Sequence, residues 1–179
     1  MKRQLDLGSA NALRGWDGYE EVFGVDIVDS PDERIKKCDL NIEALPFKSD
    51  YFDLVTAHDI LEHIIPVMYL NNGSTVVRHS AMINLFNEIY RVLKHNGTFY
   101  SQTPINDFSD PTHVAHWEQE TFNHFSGDYY GFHDHYGHTS RFEKQEIHEE
   151  NNHIYCTMRA VKNQDNSAEY KLSYPEVEQ

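Results

Sequence analysis

Leu5-Asp6-Leu7-Gly8-Ser9-Ala10-Asn11, followed by Gly24-Val25-Asp26-Ile27, is the stretch that decides how this chain folds. A short apolar run entering a glycine turn is the pattern of a strand buried on both faces, and a second run reaches an acid about twenty residues on. Working outward, five strands are expected: Gln4 to Leu7, Val22 to Val28, Ile35 to Asp39, Phe52 to His58 and Thr98 to Thr103. Helical patterns alternate with them, which is the signature of a parallel α/β sheet. The clearest runs from His79 to Lys94, with Met82, Ile83, Phe86, Ile89, Tyr90 and Leu93 on one stripe. Asn96-Gly97 is expected to end it, since an αL position suits either residue. Between the first two strands lie only about fourteen residues, near the minimum for a parallel connection, so a short or frayed first helix is expected.

Near the carboxyl end, Glu143 to Glu150 and His153 to Val161 flank Asn151-Asn152, a pair suited to φ > 0, and this predicts an antiparallel hairpin. The expected fold is therefore α/β, a mixed seven-stranded sheet in one domain over residues 1–165 with a polar tail over 166–179. Ligand belongs at the carboxyl ends of the strands, near the switch in strand order.

Composition narrows the function. The 179 residues are 39% hydrophobic and 13% aromatic, enough to fold one domain and too interrupted for a membrane span. Met1-Lys2-Arg3-Gln4-Leu5-Asp6 has no apolar run after its basic residues, so no secretory signal is read and the cytoplasm is expected. Cys38 and Cys156 stand far apart, which argues against a disulfide or zinc-thiolate framework and suggests that both pack in strands. With 29 acidic against 15 basic residues, the net charge of −14 has the wrong sign for tracking long nucleic acids. An oligomer stays possible.

The strand, glycine turn and acid resemble the S-adenosylmethionine pocket of class I methyltransferases. The likeness extends through Cys38-Asp39-Leu40, Ala44-Leu45-Pro46-Phe47, Tyr51-Phe52-Asp53-Leu54-Val55, Leu61-Glu62-His63 and Arg91-Val92-Leu93-Lys94-His95-Asn96-Gly97. That ordered set is similar to the type 11 branch of the family. The resemblance implies a Rossmann-like fold and a cofactor site drawn from Asp6, Gly8, Ser9, Asp26, Ile27, Asp39, Leu40 and His58. Gly8 would let the backbone approach the amino-acid part of S-adenosyl-L-methionine, Asp26 would accept ribose hydroxyls and Asp39 would meet the adenine amino group. In place of the family's second and third loop glycines stand Ala10 and Ala12. The amino-terminal helices that usually cover the cofactor are not seen, which implies an open pocket or a cover supplied by a partner.

Candidate catalytic residues are His113, in Asp110-Pro111-Thr112-His113, and His63. An imidazole can take a proton near neutrality, so either could act as base toward a small-molecule or sugar-like acceptor. Asp59, Glu62 and His63 have i, i+3, i+4 spacing, expected to share a helix face with His113 opposite. This is similar to the metal site of small-RNA terminal 2′-O-methyltransferases, with Asp59 in place of the first Glu, and oxygen-rich ligation with imidazole would suit Mg²⁺ or Mn²⁺, or a borderline metal. The expected activity is methyl transfer to a small acceptor; metal-assisted RNA-end methylation and cofactor binding without turnover are the alternatives. His133, His135 and His138 read as a loop over the substrate.

Overall fold

The computed structural model describes residues 1–71, 73–105, 109–126 and 136–162. In chain order its strands are β1 (Arg3–Leu7), β2 (Glu21–Asp26), β3 (Ile35–Lys37), β4 (Phe52–His58), β5 (Met68–Asn71), β6 (Val76–His79), β7 (Leu93–Pro104), β8 (Phe142–Glu150) and β9 (His153–Ala160). Seven of them form one sheet in the order β3-β2-β1-β4-β7-β9-β8. The first five are parallel, whereas β9 runs antiparallel to both β7 and β8. The fold is the expected mixed Rossmann-like sheet ending in a hairpin. Asn151 (φ 49°) and Asn152 (φ 62°) make the hairpin turn in the left-handed region, as their side chains allow.

The two faces of the sheet are covered differently, and the reason lies in β1. Leu5 and Leu7 point to one face, where α1 (Ala81–Val92) buries Met82, Leu85, Phe86, Ile89 and Val92. Phe86 stacks on Phe125 at 3.7 Å between ring centroids and meets Phe99 at 5.5 Å. Each such fully buried apolar side chain contributes about 1.5–3 kcal/mol. Gln4 and Asp6 point the other way and are equally buried. Gln4 accepts from the Trp16 amide (2.8 Å) and donates to the Arg14 carbonyl (2.7 Å) and Thr56 Oγ1 (3.1 Å). Asp6 accepts from the Arg14 amide (3.1 Å) and the Thr56 hydroxyl (3.0 Å).

Polar side chains on that face therefore satisfy the amides and carbonyls of an irregular segment. The expected first crossover helix does not form: residues 8–20 are turns and loop.

The helical stripe is shorter than its sequence pattern. α1 stops at Val92 because Leu93, fully buried, turns extended and pairs with Phe52, after which the register jumps to Leu54 opposite Thr98. Asn96 does take positive φ (63°), but inside this bulge and not at the helix end. Leu61-Glu62-His63 forms only a single 3₁₀ turn. Cys156 packs in β9, whereas Cys38 is buried just beyond β3. The hairpin of β5 and β6 is a separate two-stranded sheet with Tyr69, Val76 and Val77 exposed. Among the described residues no helix is long and apolar enough to cross a membrane. The tail over 166–179 lies outside the described residues, as do His133 and His135.

Candidate active site at the carboxyl edge of the sheet

Parallel pairing of β2, β1 and β4 brings Gly8, Asp26 and the Asp59-to-His63 segment to one edge. Gly8 holds φ 65°, and a Cβ there would come within 2.8 Å of Ile60, so glycine is required by both conformation and contact. The close approach at Gly8 is thus occupied by the chain's own Ile60, which ties the glycine turn to the Glu62 segment. Ser9 is buried and its amide donates to the Val25 carbonyl (3.1 Å). Gly24 makes room for it, since a Cβ there would collide with Ser9 Oγ.

Asp26 ends β2 with its carboxylate fixed by two amides, Ala10 at 2.8 Å and Val28 at 3.0 Å. It is half-buried, so the remaining lone pairs can still face a ligand. Beside it Ile27 and Val28 are each 59% exposed, an apolar pair standing in solvent at the strand end.

Other expected ligand contacts are turned inward. Asp6 is fully buried with both oxygens engaged by Arg14 and Thr56; burial raises its carboxyl above the usual range against those hydrogen bonds. It shapes the loop and does not reach the surface. Leu40 belongs to the core. Asp39 stays half-buried, with Oδ1 accepting from the Asn41 amide (2.9 Å). His58 lies against Tyr100 at 5.4 Å, and its buried Nε2 has no hydrogen-bond partner among the described residues.

The second half of the site is built on the 3₁₀ turn. Glu62 is 2% exposed, and neither carboxylate oxygen accepts a hydrogen bond from another described residue. Burial pushes its carboxyl up to about 7 against the pull of its own backbone amide; the Asp59 charge adds to the rise, and His113 and His153 oppose it. Its carbonyl accepts from the amides of Val114 (2.8 Å) and Ala115 (3.0 Å), which laces the segment after β7 onto the turn and delivers His113. His113 Nε2 stands 3.9 Å from Glu62 Oε1, and the His63 and His113 rings meet edge-on at 4.7 Å.

Asp59 departs from the expected cluster. It holds φ 51° before the turn, so no helix face carries it alongside Glu62 and His63. Its carboxylate faces His153 Nε2 and Gln102 Nε2, each at 3.4 Å. Sequence reasoning missed His153, since only the antiparallel placement of β9 beside β7 brings it there. His138 is buried, bonded to Ser140 and packed against Phe125, a core position and not a loop over substrate.

The sequence profile of the methyltransferase domain family matches residues 5–101, more than half of the chain. The chain belongs to that family. It is a methyltransferase dependent on S-adenosylmethionine. A comparison with curated proteins gives no match.

Among solved structures, this methyltransferase is similar to a chain of the complex between the Haloferax volcanii Trm112 methyltransferase activator and a candidate methyltransferase. The TM-score is 0.60 at 15% identity, over 90% of this chain and 83% of that one. It is also similar to the Burkholderia thailandensis 1,6-didemethyltoxoflavin-N1-methyltransferase with bound 1,6-didemethyltoxoflavin and S-adenosylhomocysteine. Here the TM-score is 0.57 at 17% identity, over 89% and 71%. A third is an S-adenosylmethionine dependent methyltransferase from Mesorhizobium loti, with a TM-score of 0.56 at 16% identity, over 88% and 90%. At these identities the likeness is one of fold.

The residues present fit the cofactor of this methyltransferase family at its nucleoside end. The Asp26 carboxylate, prefixed by two amides and flanked by exposed Ile27 and Val28, offers an acceptor beside an apolar platform. Leu45-Pro46-Phe47 serves differently. Arg91 donates to the carbonyls of Phe47 (2.7 Å) and Leu45 (2.9 Å), and buried Glu88 accepts from the Leu45 amide (2.8 Å). The motif clamps its loop to α1.

Proposed function

We propose that this methyltransferase acts on a small-molecule or sugar-like acceptor presented to the Glu62–His113 pair, with the cofactor held by Asp26 and Asp39 beside the Gly8 turn. The observation that carries the reading is the meeting of two unlike sites at one sheet edge: an acceptor carboxylate with an apolar platform, and a sunken carboxylate with two imidazoles. Gly8 and Ile60 join them directly. The His113 side chain is 9% exposed and that of Glu62 3%, so a slender group reaches them more readily than a polymer backbone does. The net charge of −14 also favours a small acceptor over RNA.

When bound, S-adenosylmethionine supplies a methyl group on a sulfonium. Transfer from it is an in-line displacement that needs mainly alignment. His113 would take the proton of an acceptor hydroxyl or amine at a ring nitrogen, with Glu62 beside it to stabilise the charged ring. His63, braced by Thr112, would orient the pair.

The test has two parts. Calorimetry with S-adenosylhomocysteine should show saturable one-to-one binding, and a screen of labelled methyl transfer to sugars, nucleotides and peptides should yield a small acceptor. Labelling confined to peptide or RNA polymers would overturn the acceptor assignment; absence of cofactor binding would overturn the whole reading.

A further inference from the structure

We infer that Glu62, His63 and His113 form a binding site for one divalent first-row transition ion of the zinc, cobalt or iron(II) kind. One ligand atom from each residue lies within 4.8 Å of the other two. The separation of His113 Nε2 from Glu62 Oε1, 3.9 Å, is too long for a hydrogen bond. It lies at the wide end of the range for two ligands that share an ion, since metal–ligand bonds of about 2.0–2.2 Å set ligands roughly 3–4 Å apart, so an ion would draw the three side chains inward.

Glu62 provides an independent observation. A carboxylate that is 2% exposed, with neither oxygen accepting a hydrogen bond from another described residue, carries a desolvation cost that a cation beside it would offset.

His63 is held in the form that an ion requires. The Thr112 hydroxyl donates to Asp110 Oδ1 at 2.6 Å, so its oxygen faces His63 Nδ1, 3.0 Å away, as an acceptor. The Thr112 carbonyl lies 3.2 Å from the same nitrogen. Two acceptors around Nδ1 place the ring proton there and leave the Nε2 lone pair for a metal. An oxygen that accepts from the far ring nitrogen and so fixes the tautomer is the usual companion of a ligating histidine.

The donor set decides the class of ion. Two imidazoles and one carboxylate suit zinc, cobalt or iron(II), whereas magnesium and calcium prefer oxygen-rich sets. The Mg²⁺ or Mn²⁺ expected from the four-residue set rested on a second carboxylate, and Asp59 faces His153 and Gln102 instead. Three protein ligands leave at least one position open, as in catalytic sites. This rests on the function proposed above and reassigns His113 within it: as a ligand it holds the ion and does not act as base, and the ion instead polarises an acceptor oxygen bound at the open position, which selects hydroxyl acceptors over amines.

The experiment uses the full chain, freed of metal with a chelator and dialysed. Co²⁺ is titrated while its visible d–d absorption is followed, and Zn²⁺ is then added in competition. One equivalent of Co²⁺ should give a spectrum of low-symmetry coordination that Zn²⁺ bleaches. Glu62→Gln and His113→Gln should each abolish it, while Asp59→Asn should leave it unchanged. Thermal midpoints check that each variant folds, and the histidine variant carries the test if the glutamate variant does not. The inference is overturned by no saturable one-to-one binding, by binding that survives in both folded variants, or by loss of binding in Asp59→Asn. S-adenosylhomocysteine titrated into the same samples keeps the two readings apart: cofactor binding without Co²⁺ binding sinks the metal site alone, and the converse sinks the proposed function alone.

Discussion

Replacing Arg91 with Met should destabilise this protein far more than a surface arginine would. The Arg91 guanidinium donates from Nε to Glu88 Oε1 and from Nη2 to Glu88 Oε2, both at 2.7 Å, and reaches the carbonyls of Phe47 and Leu45. Glu88 is 2% exposed while the Arg91 side chain is 30% exposed. Removing one partner of a fully buried pair costs about 3–5 kcal/mol, chiefly because the other charge is left stranded. Water reaches part of Arg91, so about 2–4 kcal/mol is expected here. That is a large share of a total stability of about 5–15 kcal/mol, and it corresponds to a fall in Tm of about 5–15 °C for a chain of this size. The assay is urea unfolding of Arg91→Met, Glu88→Gln and the double variant. With the carboxylate neutralised, the arginine should matter less, so the double variant should lose at least about 1 kcal/mol less than the two single losses summed. An Arg91→Met variant within about 0.5 kcal/mol of wild type, or strictly additive losses, would refute the clamp.

Other outcomes follow from the same contacts. Asp26→Ala should weaken S-adenosylhomocysteine binding by about 1.5–3 kcal/mol in calorimetry, the usual scale for a charged acceptor, with little change in Tm. His113→Ala should slow transfer about 10²–10⁴-fold while leaving cofactor affinity near wild type, read from initial rates on the acceptor that the screen yields. Thiol titration should find Cys38 and Cys156 unreactive in the native protein and two groups in denaturant, because burial pushes the Cys38 thiol up to about 12 and Cys156 higher still. Burial also raises the Asp6 carboxyl above its ordinary 3.8, so the fold binds this proton more tightly than the unfolded chain does. Its contribution is complete below about pH 3.8 and declines as pH rises through the folded value; the urea stability of wild type relative to Asp6→Asn should fall in that direction.

How much of this was legible depended on where the deciding contact lay. The central parallel strands could be read because β1 and β4 are buried along most of their length, whereas β3 at the edge has only Ile35 buried, with Lys36 and Lys37 exposed. The Asn151-Asn152 turn could be read because φ > 0 is a local demand. The first crossover could not: Gln4 and Asp6 look like ordinary polar breaks in a strand, and only pairing with Thr56 on β4 turns them into the acceptors and donors that hold a loop. The β5–β6 hairpin did leave a signal, Val67-Met68-Tyr69-Leu70 and Thr75-Val76-Val77 on either side of Asn71-Asn72-Gly73, and it could have been assigned from turn chemistry alone. Glu62 shows the opposite limit. Nothing in Leu61-Glu62-His63 distinguishes a solvated glutamate from one buried at the foot of a sheet.

The residues that mark the family therefore do two kinds of work, and sequence likeness does not separate them. Asp26 stands at the surface with lone pairs to spare, and loss of its carboxylate should change binding. Leu45-Pro46-Phe47 and Arg91 are equally recognisable, yet their hydrogen bonds tie a loop to α1 and Phe47 packs on Phe23 and Phe52 of the sheet, all contacts within the fold. Loss of methyl transfer in an Arg91 variant should accordingly follow the fraction folded and recover at lower temperature or with a stabilising co-solvent. The Asp26 defect should persist under both conditions, because the protein is already folded and the missing group is one that the ligand itself must meet. Temperature dependence thus sorts the motif residues into clamp and site, and it does so whatever the methyl acceptor is, since cofactor binding alone is a sufficient readout.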